Sequence, residues 1–324
     1  MMNVERQIGL TPEFPRFAGR ALQMADASTA PARPAETPVA VKTAGPGGFE
    51  PPATGLPHRL VRGRHGNFLY NAEDHFIGRS LEVYGEYSEL EVQLLVNLAK
   101  PGDIVVEAGA NIGSCTVPLA RRVGADGWVL AVEPQRIVHQ TLCANIALNG
   151  LANVIAPWCA LGAAAGEISV PLPNYAADGN FGGISLVRTK DGEGERVPVA
   201  TIDSFELPRC GLIKADVEGM ELDVLKGAAD TIKRLRPRLY VENDRQPAGA
   251  ELVRHLLALG YRLFWHVPPL FNPRNFAGRA DNVFDRFVSC NMLCLPPGDG
   301  AEVKGMRPVS GPEDTALQKQ RDAK

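Results

Sequence analysis

The sequence predicts an α/β fold, a mostly parallel sheet covered by helices on both faces. Three observations carry that expectation. Short, continuously apolar runs such as 103–108 (DIVVEA), 128–133 (WVLAVE) and 237–242 (PRLYVE) read as strands buried on both sides. Amphipathic segments alternate with them, as parallel crossovers require. The first strand runs straight into a glycine-bearing turn and a helix, 105–120 (VVEAGANIGSCTVPLA), the kind of junction at which parallel sheets bind ligands.

Residues 1–58 form a Pro/Ala-rich tail with seven prolines between Pro31 and Pro57 and little periodic apolar content, so disorder is expected there. Residues 59–100 read as an N-terminal covering segment. Within it, GEYSELEVQLLVNLAK carries a capping box, Ser88 with Glu91, ahead of Leu90, Leu94, Leu95 and Leu98 on one helical face. Residues 101–297 form the principal domain. Its strands are expected at 103–108, 128–133, 153–159, 212–216 and 237–242, and its helices at 114–123, 135–149, 219–234 and 248–259. The runs 261–267 (YRLFWHV) and 286–296 (RFVSCNMLCLP) have no helical pattern between them and predict an antiparallel pair closing the sheet. The glycine-rich stretch 174–197 predicts a loop and hairpin inserted near the carboxyl edge, and 298–324 a flexible polar tail.

The 324 residues, 45% hydrophobic and 22% charged, suit one large domain with extensions. A formal charge of -3 and a pI near 6.1 give no global pull toward nucleic acid or an anionic membrane. No apolar run reaches the roughly 18 residues of a membrane span, and the N-terminus lacks a signal-peptide core, so a cytoplasmic location is expected. Six cysteines without a CxxC pair support neither a zinc site nor a disulfide framework.

The turn after the first strand selects among ligands. Gly109 and Gly113 permit a sharp turn and close approach, and the helix beginning near Ser114 offers unpaired N–H groups. A P-loop lysine is absent, which disfavours a nucleoside triphosphate. The spacing is G-x-x-x-G, with Glu107 two residues before Gly109. That acid sits poorly beside a pyrophosphate and suits a ligand end carrying an ammonium group, such as S-adenosylmethionine. Glu133 stands 24 residues after Gly109 at the end of the next strand, where an acid accepts hydrogen bonds from ribose hydroxyls. It fits NAD as well as S-adenosylmethionine, and a solvated strand-end acid is the plainer alternative.

The combination VVEAGANIGSCTVPLA, VLAVEPQ, TIDSF, LIKADVEGMELDVLKGA and RPRLYVEND resembles the FkbM family of S-adenosylmethionine-dependent methyltransferases, from about Gly66 to Leu295. The resemblance implies a Rossmann-like class I methyltransferase fold, with a seven-stranded, mostly parallel sheet whose last strand is reversed. It implies that Glu107, Gly109, Ala110, Asn111 and Gly113 hold the methionine part and Glu133 the ribose, with adenine near Cys159 and Ala160. Glu86 or Tyr87, in YGEYSE, would close over the cofactor. O-methylation of a sugar or secondary-metabolite hydroxyl is the implied activity.

A hydroxyl acceptor benefits from a general base or a metal. Lys214, Asp216 and Glu218 arrive at one strand end, and Glu242, Asn243 and Asp244 at the next. Asp216 or Glu242 is the expected base, and Lys214 is drawn into the same cleft. Asp216, Glu242 and Asn243 also imitate a magnesium ligand set, an idea weighed without commitment to a metal. Glu218, and less so Asp216, alternatively fixes its loop by accepting backbone N–H bonds. Tyr175, Phe181, Trp265, Phe271 and Phe276 line an acceptor pocket or simply pack, and His266 reads as structural. The fourth strand lacks the [DN]-P-P-[YF] pattern of nucleobase methyltransferases. Two other readings stand beside the enzyme: an NAD-dependent oxidoreductase, and a catalytically silent binding module on the same fold.

Overall fold

The computed structural model describes residues 57–184, 194–245 and 247–317. The proline-rich tail, but for Pro57 and His58, lies outside the described residues. The described chain opens with a hairpin, β1 (His58–Gly63) and β2 (Gly66–Asn71), then two helices, α1 (Ile77–Tyr84) and α2 (Glu89–Leu98). Strands and helices then alternate: β3 (Ile104–Ala108), α3 (Thr116–Val123), β4 (Trp128–Val132), α4 (Arg136–Leu148) and a short β5 (Val154–Ile155). A side sheet follows, from β6 (Ala160–Leu161), β7 (Gly166–Val170) and β8 (Glu195–Ala200). The alternation resumes with β9 (Leu212–Ala215), α5 (Glu221–Lys226), α6 (Ala229–Leu235), β10 (Arg238–Glu242) and α7 (Ala248–Ala258). Three strands close it, β11 (Arg262–His266), β12 (Asn291–Leu295) and β13 (Arg307–Pro308).

The main sheet has the order β13-β11-β12-β10-β9-β3-β4-β5. The five strands from β10 to β5 are parallel, and β12 runs antiparallel to both β10 and β11. This is the expected seven-stranded sheet with one reversed strand, extended by a two-residue eighth strand. The eighth strand comes from the stretch expected to be loose. There β13 pairs with β11, and the buried Asp314 carboxylate accepts from Trp265 Nε1 at 3.1 Å and Arg307 Nη1 at 2.6 Å. Up to residue 317 the chain is therefore tied to the sheet, because one buried acid gathers three donors, Ser310 N included.

The strands read as continuously apolar because both faces are covered. Val106, Leu130, Ile213, Leu239 and Val241 pack under α5, α6 and α7, while Val105, Val129, Leu212 and Leu293 pack under α2, α3 and α4. Three local expectations are corrected. The strand expected over 153–159 pairs only at Val154 and Ile155, since Pro157 has no N–H and the chain turns off to the side sheet. The helix expected over 219–234 breaks into α5 and α6 at Gly227, where a Cβ would overlap the Gly162 carbonyl. The capping box is absent: Ser88 is left-handed at φ 46, and its Oγ donates to the Glu91 carboxylate at 3.0 Å instead of capping a backbone N–H.

Candidate active site

The turn between β3 and α3 is built from three left-handed residues, Gly109 (φ 79), Asn111 (φ 49) and Gly113 (φ 88). The N–H groups of Gly109 and Ala110 both donate to Val132 O at 3.0 Å, which ties the turn to the end of β4. A Cβ at Gly109 would overlap the Asp216 carbonyl, so this glycine lets the turn lie directly on the end of β9. Gly109→Ala is expected to cost about 3 kcal/mol and lower Tm by about 6 °C or more in thermal denaturation. An unchanged Tm would show that the two loops separate at little cost. Gly113 serves the turn from behind, where a Cβ would meet Leu142, and it does not line the cavity.

That cavity, about 370 Å³, opens at the carboxyl ends of β3, β4, β9 and β10. Its volume lies within the range of small-ligand sites, roughly 300–1,000 Å³. Glu107 and Glu133 line it, both almost fully buried, and burial pushes each carboxyl up to about 7. Glu107 Oε2 accepts from Thr116 Oγ1 at 2.6 Å. Glu133 accepts from Gln135 N at 2.9 Å and Asn111 N at 3.0 Å, so it also holds the turn. Ala160 lines the same end, whereas Cys159 is fully buried behind it.

A strap crosses this end. Gln135 Nε2 donates to Phe181 O at 2.8 Å, and Tyr175 Oη donates to Gln135 Oε1 at 3.0 Å. These bonds seat Asn180, Gly182 and Gly183 on the cavity wall beside Asn111. Of the stretch 174–197 expected as a loop and hairpin, β8 takes up the end, but its antiparallel partner β7 lies before the stretch, and residues 185–193 lie outside the described residues.

The acids of β9 and β10 converge opposite the turn. Lys214 pairs in register with Glu107 on one side and Tyr240 on the other, which puts all three on the α2–α3 face. Its ammonium is buried and donates to Asp216 Oδ2 at 2.9 Å. Nearby Asp216, Glu91 and Glu107 hold the lysine pKa well above its ordinary value despite burial. Asp216 keeps 33% of its side chain exposed, on the cavity. Carboxylate oxygens of Asp216, Glu218 and Glu242 lie within 4.8 Å of one another. Burial, then the charges of Asp216 and Glu218, pushes the Glu242 carboxyl far above the carboxylate range, so it keeps its proton at neutral pH. Glu218, raised to about 7, is ion-paired with Arg245, whose guanidinium also lies 3.4 Å from Glu242 and 3.6 Å from Asp244.

Residues 107–263 match the methyltransferase FkbM domain. A methyltransferase, sdnD of Sordaria araneosa, is 32% identical over 177 residues, 45% of this chain and 67% of that one. The chain belongs to the FkbM methyltransferase family. The hexuronic acid methyltransferase AglP of Haloferax volcanii is 27% identical over 44% of this chain, which spans 56% of that relative. Among solved structures, methyltransferase FkbM from Methylobacillus flagellatus is 19% identical with a TM-score of 0.41, covering 68% of this chain and 55% of that one.

Within this FkbM-family domain several sequence expectations are corrected. Of Glu86 and Tyr87, only Tyr87 lines the cavity; the Glu86 carboxylate accepts from Arg64 Nε (2.6 Å), Asn272 Nδ2 (2.8 Å) and Phe276 N (2.8 Å), and so anchors a neighbouring loop. Asn243 points away from the main cavity, with Nδ2 on the Met292 sulfur at 3.4 Å, and Glu218 takes the third corner it was expected to fill. The loop-fixing role proposed for Glu218 falls to Glu221, which accepts from Val217 N and Gly219 N. Tyr175, Phe181, Trp265, Phe271 and Phe276 do not line the cavity. Phe76, Leu270 and Phe287 do, and Phe287 stands 57% exposed at the mouth, edge-on to Phe76 at 5.4 Å. His266 accepts or donates at 2.8 Å with the Tyr240 hydroxyl, a packed role on the sheet.

Leu270 and Phe287 stand at the two ends of one loop. Leu270 N donates to Phe287 O at 3.1 Å and Ser289 N to Pro268 O at 3.0 Å, so the loop leaves and re-enters the fold through one neck. Sequence reasoning missed this wall because the loop has no periodic pattern. It also missed Glu91, which lies on the buried face of α2 and opens onto the cavity. Among the described residues no helix is long and apolar enough to cross a membrane.

Proposed function

We propose that the chain is an S-adenosylmethionine-dependent O-methyltransferase acting on a hydroxyl of a sugar, glycan or secondary metabolite. The observation that carries this reading is the pairing, on one cavity, of a cofactor-type turn with a partly exposed carboxylate beside a protonated one. The residues fit S-adenosylmethionine: Glu133 offers buried acceptors for ribose hydroxyls, Glu107 an acceptor for a cationic end, and Gly182 and Gly183 a wall without side chains. When bound, the cofactor supplies an electrophilic methyl group on a sulfonium.

The chain's own residues supply the rest. Asp216, held by Lys214, takes the acceptor's hydroxyl proton. Glu242, protonated, donates to and orients the acceptor oxygen or a neighbouring hydroxyl. Much of the barrier reduction then comes from holding acceptor and methyl in line. The aromatic pair Phe76 and Phe287 offers an apolar face for the rest of the acceptor. That the relative AglP is a hexuronic acid methyltransferase supports the sugar class.

Lys214 already pairs with Asp216 and Arg245 with Glu218, while Glu242 keeps its proton, so the cluster offers a divalent cation little free charge, which favours metal-free transfer. The test is methyl transfer to a panel of glycans and hydroxylated metabolites, with and without EDTA. Methylation at oxygen, unchanged by EDTA, is expected. Transfer confined to nitrogen, or no turnover on any hydroxyl, would remove the reading, and loss with EDTA would remove the metal-free part.

A further inference from the structure

Glu91 is the one buried acid on the cavity that the reading above leaves without a task. It is 5% exposed, carried inward because its neighbour Val92 packs α2 against α3. A buried carboxylate is costly unless its acceptor sites are filled. Ser88 Oγ donates to its Oε2 at 3.0 Å, and Oε1 receives no hydrogen bond among the described residues. Glu107 is in the same condition: Thr116 fills Oε2 and Oε1 is open. Both acids line the cavity at the end marked by Lys214, since the charge of each acts on that ammonium and that of Glu91 on Glu107.

The charge there is unbalanced. Among the described residues Glu91, Glu107 and Asp216 share one buried cation, Lys214, whose hydrogen bond goes to Asp216, and burial raises the Glu91 and Glu107 carboxyls, so their ionised forms lack a partner of their own. That end therefore favours a further positive group bearing several N–H donors. Glu133, Ala160 and the strap, elsewhere on the same cavity, suit ribose and adenine. We propose that Glu91, together with Glu107, binds the α-ammonium group at the methionine end of S-adenosylmethionine. An ammonium brings three donors, and two open carboxylate oxygens take two of them. The inference rests on the cofactor reading above and adds to it a residue contributed by the N-terminal covering segment.

The experiment is calorimetric titration of the full chain and of Glu91→Gln with two ligands. S-adenosylhomocysteine keeps the ammonium and lacks the sulfonium charge. 5′-Methylthioadenosine lacks the amino acid end altogether and reports whether the adenosine half of the site is intact. Glu91→Gln is expected to weaken S-adenosylhomocysteine about 10- to 100-fold, the worth of a charged hydrogen bond, and to leave methylthioadenosine within about twofold. Unchanged S-adenosylhomocysteine binding, or equal weakening of both ligands, overturns the assignment. Should the glutamine variant not fold, Glu91→Asp keeps the charge and shortens its reach. A loss of severalfold confined to S-adenosylhomocysteine is then expected, and the same two contrary results overturn the proposal. Wild-type protein that binds neither ligand sinks the cofactor reading itself, whereas wild type that binds while the variant is indifferent sinks Glu91 alone.

Discussion

Asp216→Asn is expected to lower kcat by about 10²- to 10⁴-fold, the usual contribution of a positioned general base. The change keeps the shape of the side chain, and the Asp216 carbonyl that packs on Gly109 is untouched. Binding of S-adenosylhomocysteine should therefore move by less than about threefold. Glu242 remains a poor substitute, because burial and the Glu218 charge still raise its carboxyl once the Asp216 charge is removed. Single-turnover kinetics with a hydroxyl acceptor is the measurement that decides. A preserved rate with intact cofactor binding would remove Asp216 as the base and leave proximity as the main source of catalysis.

Glu133→Ala is expected to weaken S-adenosylhomocysteine by about 10²- to 10³-fold, since two hydrogen bonds to a buried carboxylate are each worth about 1.5–3 kcal/mol and partial compensation is normal. Methylthioadenosine should weaken with it, in contrast to the Glu91 variant. The wild-type affinity carries its own signature. Burial raises the Glu133 carboxyl to about 7, so its ionised fraction grows between pH 6 and pH 8, and the ionised form is the stronger acceptor. Affinity should rise across that window and the rise should shrink in the alanine variant. NAD should give no binding heat at all. If NAD bound and S-adenosylhomocysteine did not, the oxidoreductase alternative would return.

The same raised carboxyls set the sign of apo stability. An acid with pKa 4.5 when unfolded and about 7 when folded, as for Glu107 and Glu133, contributes stability that is complete below 4.5 and lost as pH rises through 7. A ligand whose donors satisfy the ionised acids offsets that loss, so thermal stabilisation by S-adenosylhomocysteine should grow over the range in which the apo protein weakens.

Period and turn chemistry made most of the architecture legible. Alternation of buried strands and helices located β3, β4, β9 and β10 to within about two residues, and the unlinked runs at 261–267 and 286–296 became the antiparallel closure. The turn glycines and Glu107, Glu133, Lys214, Asp216 and Glu242 all reach the one cavity, apart from Gly113 behind it. These residues meet because strand ends of a parallel sheet share an edge, so position along the chain implies position in space. What failed depended on contacts between distant segments. Glu86 and Glu91 are five residues apart in one motif, yet Glu86 lies in the connection before α2 and turns to a neighbouring loop, while Glu91 on α2 faces the cavity. Nothing local foretells that Asn243 faces Met292, or that Arg245 covers Glu218.

The neck at Pro268 and Ser289 gives the protein a cassette. Between its two closing hydrogen bonds, a span of about twenty residues contributes the apolar wall at the mouth and touches the rest of the fold through Arg64, Phe76, Tyr84 and Glu86. A segment that begins and ends at one point can change length or composition without disturbing the frame that carries it. On the proposed reading, acceptor preference would be set in an exchangeable clause and methyl-donor binding in the strand ends, where a substitution such as Gly109→Ala disturbs the fold as well.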